Sequence, residues 1–504
     1  MRVYFDKHKG TLKSLSGKPS KHVIWGDWLD VADLPGDPGH YQVDWRVWNE
    51  TSSSVTTEPY IVARSDCRAT PLLEMMFLDV GQGDGCILNV PNGTTQDTLI
   101  IDAGQFSNLH QFLKWRFRFV DDRAAFHTCV LTHPDSDHYG GFRKIFDDQN
   151  ITFGQVLHNG LVERKFGEEL TLGSRADGFC TDIFETTADI QQLADPEARG
   201  TGDYARLLWT AAQRFPEIRM ASTRHGEQVG DRAYVPGFAP AGGRASIEIL
   251  GPVPSDHEGE LALRDFGDKP NDGGFDRGKT KNGHSIILRL EYGGFSAIFG
   301  GDLNRPSEDH LLRHYGDIDG TASLASAIPA ASRRLGADLL KCCHHGSADV
   351  TDEFLEAVNP FAFVVSSGDQ ESHVHPRPEV LGLLGKKGRG ERPLVLCTEI
   401  LRSTPGSLNL DAGAEAEHRK HLAAIEAATT ADARKKAVKA LDDFWKDATR
   451  RLVNVYGAIN LRTDGQTLIV AFRKEKSTRG SPWQLFPYRL DSGEWRPLAG
   501  AATH

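Results

Sequence analysis

Short apolar runs that end in a histidine or an acid recur through the middle of this chain and predict buried strands with polar tips. The run Cys129-Val130-Leu131 leads into Thr132-His133-Pro134-Asp135-Ser136-Asp137-His138-Tyr139-Gly140-Gly141, which places two imidazoles and two carboxylates within six consecutive positions. Leu99-Ile100-Ile101 ends in Asp102, Phe295 to Phe299 runs through Gly300-Gly301 to Asp302, and Ala337 to Cys343 ends in His344-His345. Phe153 to Leu157 ends in His158, and Phe361 to Gly368 is followed by a loop carrying His373 and His375. Helical patterning marks 108–116, 142–147, 204–214 and an Ala/Lys/Glu-rich stretch at 415–451.

These elements divide the chain. Residues 1–70 alternate as half-buried strands do, as in Lys21–Trp25 and Tyr41–Trp48, and predict a small, barrel-like β domain. Its aromatic residues either form its own core or offer a docking surface for a protein partner or nucleic acid. Residues 71–475 predict an α/β domain that opens on strand, glycine turn, strand (75–90) and carries insertions at about 161–245 and 402–452, with 476–504 as a C-terminal tail. Strands followed by a helix and a ligand-tipped strand imply a layered α/β sandwich.

Composition narrows the classes. At 504 residues with 39% hydrophobic and 25% charged residues, the chain is globular with room for two or three domains. A net charge of −11 argues against non-specific coating of nucleic acid, while leaving room for a local basic groove. No apolar run approaches the ~20 residues of a membrane span, and the N-terminus has no signal-peptide pattern. Seven cysteines without a CxxC spacing imply reduced thiols and a cytoplasmic protein without a membrane segment; Cys342-Cys343 reads as packing.

Imidazole and carboxylate together are the donor set for zinc or a neighbouring divalent metal. Strand tips on one edge of a sandwich converge, so distant positions can build one site. Two divalent ions bridged by Asp302 suit the inventory: His133, Asp135 and His158 on one, and Asp137, His138 and a histidine of His344-His345 on the other. His158 reads equally as a hydrogen-bonded structural residue, and His375 as a substrate contact or a loop residue. Such a pair of ions lowers the pKa of a water and clamps both oxygens of a phosphodiester.

The loop His133-Pro134-Asp135-Ser136-Asp137-His138 with Gly140-Gly141 resembles the H-x-D-x-D-H signature of the metallo-β-lactamase superfamily. Phe77–Asp84, Ile101–Gly104, Gly301-Asp302, His344–Ser347 and His375-Pro376, with Asn282 and Ser285, are similar in order to the hydrolase domain of the competence-protein ComEC group, over roughly residues 74–400 and the final strands. The resemblance implies an αββα sandwich, two metal ions and a metal-activated water acting on phosphodiesters, DNA favoured. A small-molecule ester, lactone or amide is the alternative substrate. Asp135 stands where zinc members carry a second histidine, which hardens that half-site and makes Mn²⁺ a rival to Zn²⁺. In this reading Asp137 orients the water or takes its proton. Whichever of His344 and His345 is not a ligand assists the leaving group, His375 contacts substrate, and Asp79, Asp84 and Asp102 brace the site.

Overall fold

The computed structural model of the chain describes residues 1–49, 54–81, 83–117, 123–267, 275–368, 375–398, 412–452, 458–473 and 482–498. Gln82 of the glycine turn, His373, residues 402–411 of the second insertion and 476–481 of the tail lie outside the described residues.

Two large sheets organise residues 71–498. One is ten-stranded, in the order Ile218–Met220, Ile151–His158, Ala124–Val130, Thr95–Ala103, Gly85–Asn92, Leu73–Phe77, Ile459–Thr463, Thr467–Arg473, Trp483–Asp491, Glu494–Pro497. The other is eight-stranded, in the order Glu227–Val229, Arg232–Tyr234, Ser246–Gly251, Ile287–Tyr292, Phe295–Phe299, Leu339–Lys341, Ala362–Val365, Leu394–Cys397. Most of these strands are apolar on both faces, because each face is covered. Leu99, Ile101, Leu288, Leu290, Phe299 and Val364 share one buried cluster drawn from both sheets. Ile87, Ile100 and Cys129 face outward into a second cluster with residues of the helices Asn108–Phe117, Phe142–Asp147 and Asp203–Arg214. Ile287, Ile298, Leu340 and Phe363 do the same on the other sheet against Arg305–Gly316, Ile328–Leu335 and Asp352–Val358.

Each sheet contains a parallel stretch. Thr95–Ala103, Ala124–Val130, Ile151–His158 and Ile218–Met220 run side by side in one, and Phe295–Phe299, Leu339–Lys341, Ala362–Val365 and Leu394–Cys397 in the other. Parallel strands deliver their carboxyl ends to a common edge, where ligand sites of open α/β sheets form. Asp102, His133, Asp302 and His345 all leave the sheets at such ends.

Two features differ from the sequence expectation, and the helical second insertion follows it. Residues 161–245, expected as an insertion, are woven into the sheets: Ile218–Met220 extends one sheet, Glu227–Val229 and Arg232–Tyr234 extend the other, and Leu207 and Leu208 are core residues. The region expected as a tail supplies two strands, Trp483–Asp491 and Glu494–Pro497, with Trp495 buried beside Phe295. The second insertion is a pair of contacting helices, Ala412–Glu426 and Ala431–Leu452.

At the N-terminus, seven antiparallel strands between Arg2 and Arg68 form their own sheet around Val3, Leu12, Val23, Val43 and Tyr60. A buried cation fastens it to the larger body. Arg462 donates to Ile24 O, Trp25 O and Asp27 on one side, and to Glu74 and Asn460 on the other. Glu74 also accepts from Asn89 and Arg116. Among the described residues, no helix is long and apolar enough to cross a membrane, and all seven cysteines are free thiols.

Candidate metal centre

The signature loop begins where Ala124–Val130 ends, and its glycines are sterically required. A Cβ on Gly140 would lie 2.4 Å from Ser136 O, and one on Gly141 would lie 2.2 Å from Ala103 O. Gly83 approaches from the preceding turn with φ of +103°, so closely that a Cβ would lie 1.6 Å from Asp137 O. Within the loop, Ser136–Tyr139 forms one helical turn that buries His138 and leaves Asp137 near the surface.

Three imidazoles present the same nitrogen to the centre. His138 Nδ1 lies 2.7 Å from Asp102 Oδ2, an acceptor, so the ring nitrogen donates and Nε2 is the atom turned to the centre. Asp102 reaches this position from a bulge at the end of its strand, with φ of 54°, and also accepts from Thr132 N at 2.9 Å and Thr132 Oγ1 at 2.6 Å. The Thr132 hydroxyl is thereby committed as a donor. Its oxygen accepts from His133 Nδ1 at 3.1 Å, and Ser285 Oγ stands 3.3 Å from the same nitrogen. His345 Nδ1 donates to Ser366 O at 3.0 Å. With Nδ1 engaged in each ring, Nε2 is the atom that each can offer to a metal ion.

They converge on Asp302. Its carboxylate lies 3.2 Å from His138 Nε2, 3.3 Å from His345 Nε2 and 3.8 Å from His133 Nε2. His138 Nε2 and His345 Nε2 are themselves 3.2 Å apart. Two imidazole nitrogens approach this closely when a proton or a metal ion lies between them. The spacing matches the edge of a tetrahedron whose metal–nitrogen bonds are about 2.0–2.1 Å, roughly 3.3 Å. His133 Nε2 has no hydrogen-bond partner despite full burial, the condition expected of an imidazole that awaits a metal.

The surrounding carboxylates favour positive charge at these rings, carried by a proton or by a metal ion in its place. Burial opposes charging His138 and His345, yet Asp302 with Asp102, and Asp302 with Asp84, hold the two imidazoles well above their ordinary value. Burial likewise opposes an ionised Asp302, but His138 and His345 hold it well below the carboxylate range. The buried Asp84, His138, Asp302 and His345 can hold a metal ion, with ligand atoms within 4.8 Å of one another. Asp84 differs from the other three. It faces the Nδ1 sides of His345 (3.3 Å) and His138 (3.9 Å), and its carboxylate is paired with the buried ammonium of Lys341. Those contacts make it a brace for the histidines.

The remaining candidates lie at graded distances. Asp137 Oδ2 is 3.5 Å from His345 Nε2, and Asp135 Oδ2 is 3.8 Å from His133 Nε2. His344 is 29% exposed, 3.9 Å from Asp302 Oδ2, with its ring 5.6 Å from that of His375. His344 and His345 both adopt left-handed backbone, φ 47° and 54°, which turns the adjacent rings apart. The Gly301 turn that aims Asp302 is equally tight: at φ +50°, a Cβ there would lie 2.5 Å from Ser285 Cβ.

His158, expected as a ligand, is not brought to this group. Val156 faces the helix-side cluster and Leu157 the inter-sheet cluster, so the two-residue period turns His158 back towards the helices. Its Nδ1 accepts from Gly160 N, its charged neighbours are Asp189 and His225, and burial lowers its pKa to about 3.

Sequence reasoning overlooked Lys341 and Lys281. A lysine inside the apolar strand Leu339–Lys341 was a readable signal, because a buried ammonium demands a counter-ion. Nothing near Lys281 in the chain announces its partner: it donates to Asp135 Oδ1 at 2.8 Å across 146 residues.

One stretch of the chain is similar to a characterised protein. Over 106 residues it is 32% identical to ComE operon protein 3 of Bacillus subtilis (strain 168), a match covering 21% of this chain and 12% of that protein. The chain thus spans only about an eighth of the length of the curated relative it matches. No family model matches the chain.

Proposed function

We propose that the chain is a metal-dependent hydrolase with the αββα sandwich of the metallo-β-lactamase superfamily, acting on phosphodiesters and most favourably on DNA. The observation that carries this reading is the convergence of three buried Nε2 atoms on the Asp302 carboxylate. The three stacked apolar clusters support the sandwich, and the match to ComE operon protein 3 supports the ComEC-type placement. Seven free thiols suit a reducing, cytoplasmic setting.

His138, His345, Asp302 and Asp137 would hold a Zn²⁺ or Mn²⁺ ion, with His133 adjoining. Bound there, a divalent ion supplies a nucleophilic water near neutral pH and charge for the phosphate oxygens. Asp137 is kept below the ordinary carboxylate range because hydrogen bonding to His345 and the charge of His138 outweigh its burial. So ionised a carboxylate orients a water better than it removes its proton. His344, half-buried at the mouth, is the histidine of the pair free to reach an anionic oxygen or protonate a leaving group, with His375 beside it.

The test is incubation with plasmid, single-stranded DNA, RNA and bis-p-nitrophenyl phosphate in Mn²⁺ or Zn²⁺, against a His133→Ala/Asp137→Ala control. Metal-dependent cleavage lost in the control is expected. Its absence on every phosphodiester refutes the proposal, and turnover of an ester, lactone or amide that the control loses would instead assign a small-molecule hydrolase.

A further inference from the structure

The two sides of the centre are not alike. On the His138–His345 side, two Nε2 atoms face one another and Asp302, and the buried ammonium nearby, Lys341, is paired with Asp84 behind the rings. On the His133–Asp135 side, a cation is already present. Lys281 Nζ donates to Asp135 Oδ1 at 2.8 Å and to Glu163 Oε2 at 3.1 Å, with only 12% of its side chain exposed. The second Asp135 oxygen is also engaged. With its amide oriented as its neighbours require, Asn282 Nδ2 donates to Asp135 Oδ2 at 2.9 Å and to Gly278 O at 3.0 Å. Glu163 is in turn 3.4 Å from Arg277. Two carboxylates and two cations thus cancel without any metal, and both cations, with Asn282, sit on one short helix, Arg277–Gly283, which Asp276 caps.

We propose that Lys281 is a built-in monovalent substitute for a second metal ion: held between Asp135 and Glu163, its ammonium keeps the His133–Asp135 side from loading a divalent cation, so the chain holds one tightly bound ion, on the His138–Asp302–His345 side. This deepens the metal-dependent reading above and rests on it. It departs from the two-ion expectation for a physical reason. A divalent ion on Asp135 must displace a largely buried, doubly paired ammonium and leave Glu163 with Arg277 alone, a loss comparable to breaking a buried ion pair.

The experiment uses the full chain, stripped with chelator, reloaded with excess Mn²⁺ or Zn²⁺, desalted, and analysed by elemental mass spectrometry and Mn²⁺ paramagnetic resonance. Wild type is expected to retain about one ion per chain with a mononuclear spectrum, and Lys281→Met to retain about two with a spin-coupled spectrum, since Met leaves Asp135 and Glu163 without their shared counter-ion. Two ions retained by wild type, or an unchanged count in K281M, overturns the proposal. Should K281M not fold by circular dichroism, the wild-type count and spectrum decide alone. No ion retained by either protein would overturn the metal-dependent reading itself, a result distinct from a count of two.

Discussion

Asp102→Asn is a clean test of how the centre is held, because it changes one atom type at a position that Asn tolerates. Asp102 sits at φ 54°, a conformation asparagine adopts readily, and is 1% exposed. Its carboxylate accepts from Thr132 N, Thr132 Oγ1 and His138 Nδ1. An amide in its place keeps its oxygen on Thr132 N and turns its NH₂ towards the hydroxyl and the imidazole. The hydroxyl rotates to accept. His138 satisfies the new donor only by moving its own proton to Nε2, the atom 3.2 Å from Asp302 and from His345 Nε2. The opposite amide orientation opposes two N–H groups at Thr132 and costs about 1–3 kcal/mol of stability. Partners that orient a ligating histidine typically contribute 10–100-fold in metal affinity, about 1.4–2.7 kcal/mol. D102N is therefore expected to bind Zn²⁺ at least about tenfold more weakly in competition with a chromophoric chelator, with native circular dichroism. Affinity within about threefold of wild type, with the fold intact, refutes the argument that Asp102 sets the His138 tautomer.

Four further outcomes follow from other contacts. Gly83→Ala places a Cβ against Asp137 O at a positive φ and is expected to lower the free energy of urea unfolding by about 3 kcal/mol, since the obstacle is backbone; an unchanged midpoint counts against that packing. Burial raises the Glu308 carboxyl to about 8, so the group binds its proton more tightly folded than unfolded. Its contribution to stability is complete below the unfolded pKa near 4.5 and lost as pH rises towards 8; Glu308→Gln, which cannot ionise, should gain on wild type over that window by at most about 1.4 kcal/mol per pH unit, and parallel curves would contradict it. Arg462→Ala takes from Glu74 one of its two cations and from Asp27 its guanidinium partner, and should cost about 3 kcal/mol, with faster limited proteolysis of residues 1–70; a neutral result would show that the junction does not depend on this cation. Removing divalent metal with EDTA should lower the melting temperature and adding Zn²⁺ or Mn²⁺ should restore it, because a ligand that binds only the folded state stabilises it; a melting curve indifferent to both would argue against a metal at His138 and His345.

What the sequence by itself determined is local. The apolar runs and their polar ends marked the strands that meet at one edge, and the spacing within His133–His138 marked the loop. The glycine pairs marked close approaches: Gly140, Gly141 and Gly301 each lack room for a Cβ. Helices at 108–116 and 142–147 were readable from their periodicity and are present as Asn108–Phe117 and Phe142–Asp147. The strands Trp483–Asp491 and Glu494–Pro497, next to and at the edge of the sheet, were not readable, because they mix exposed and buried residues without a steady alternation. Facing and partnership were decided only in three dimensions. Where both faces of a strand are covered by apolar layers, the alternation that would assign a side is erased, so His158 could be read as a ligand although Leu157, one residue earlier, is the one that points between the sheets. Left-handed backbone at two successive positions chose His345 over His344 for the centre. Charge pairing was equally non-local: Lys341 meets Asp84 across 257 residues and Lys281 meets Asp135 across 146. A lysine's need for a counter-ion is a property of its burial, and burial belongs to the fold.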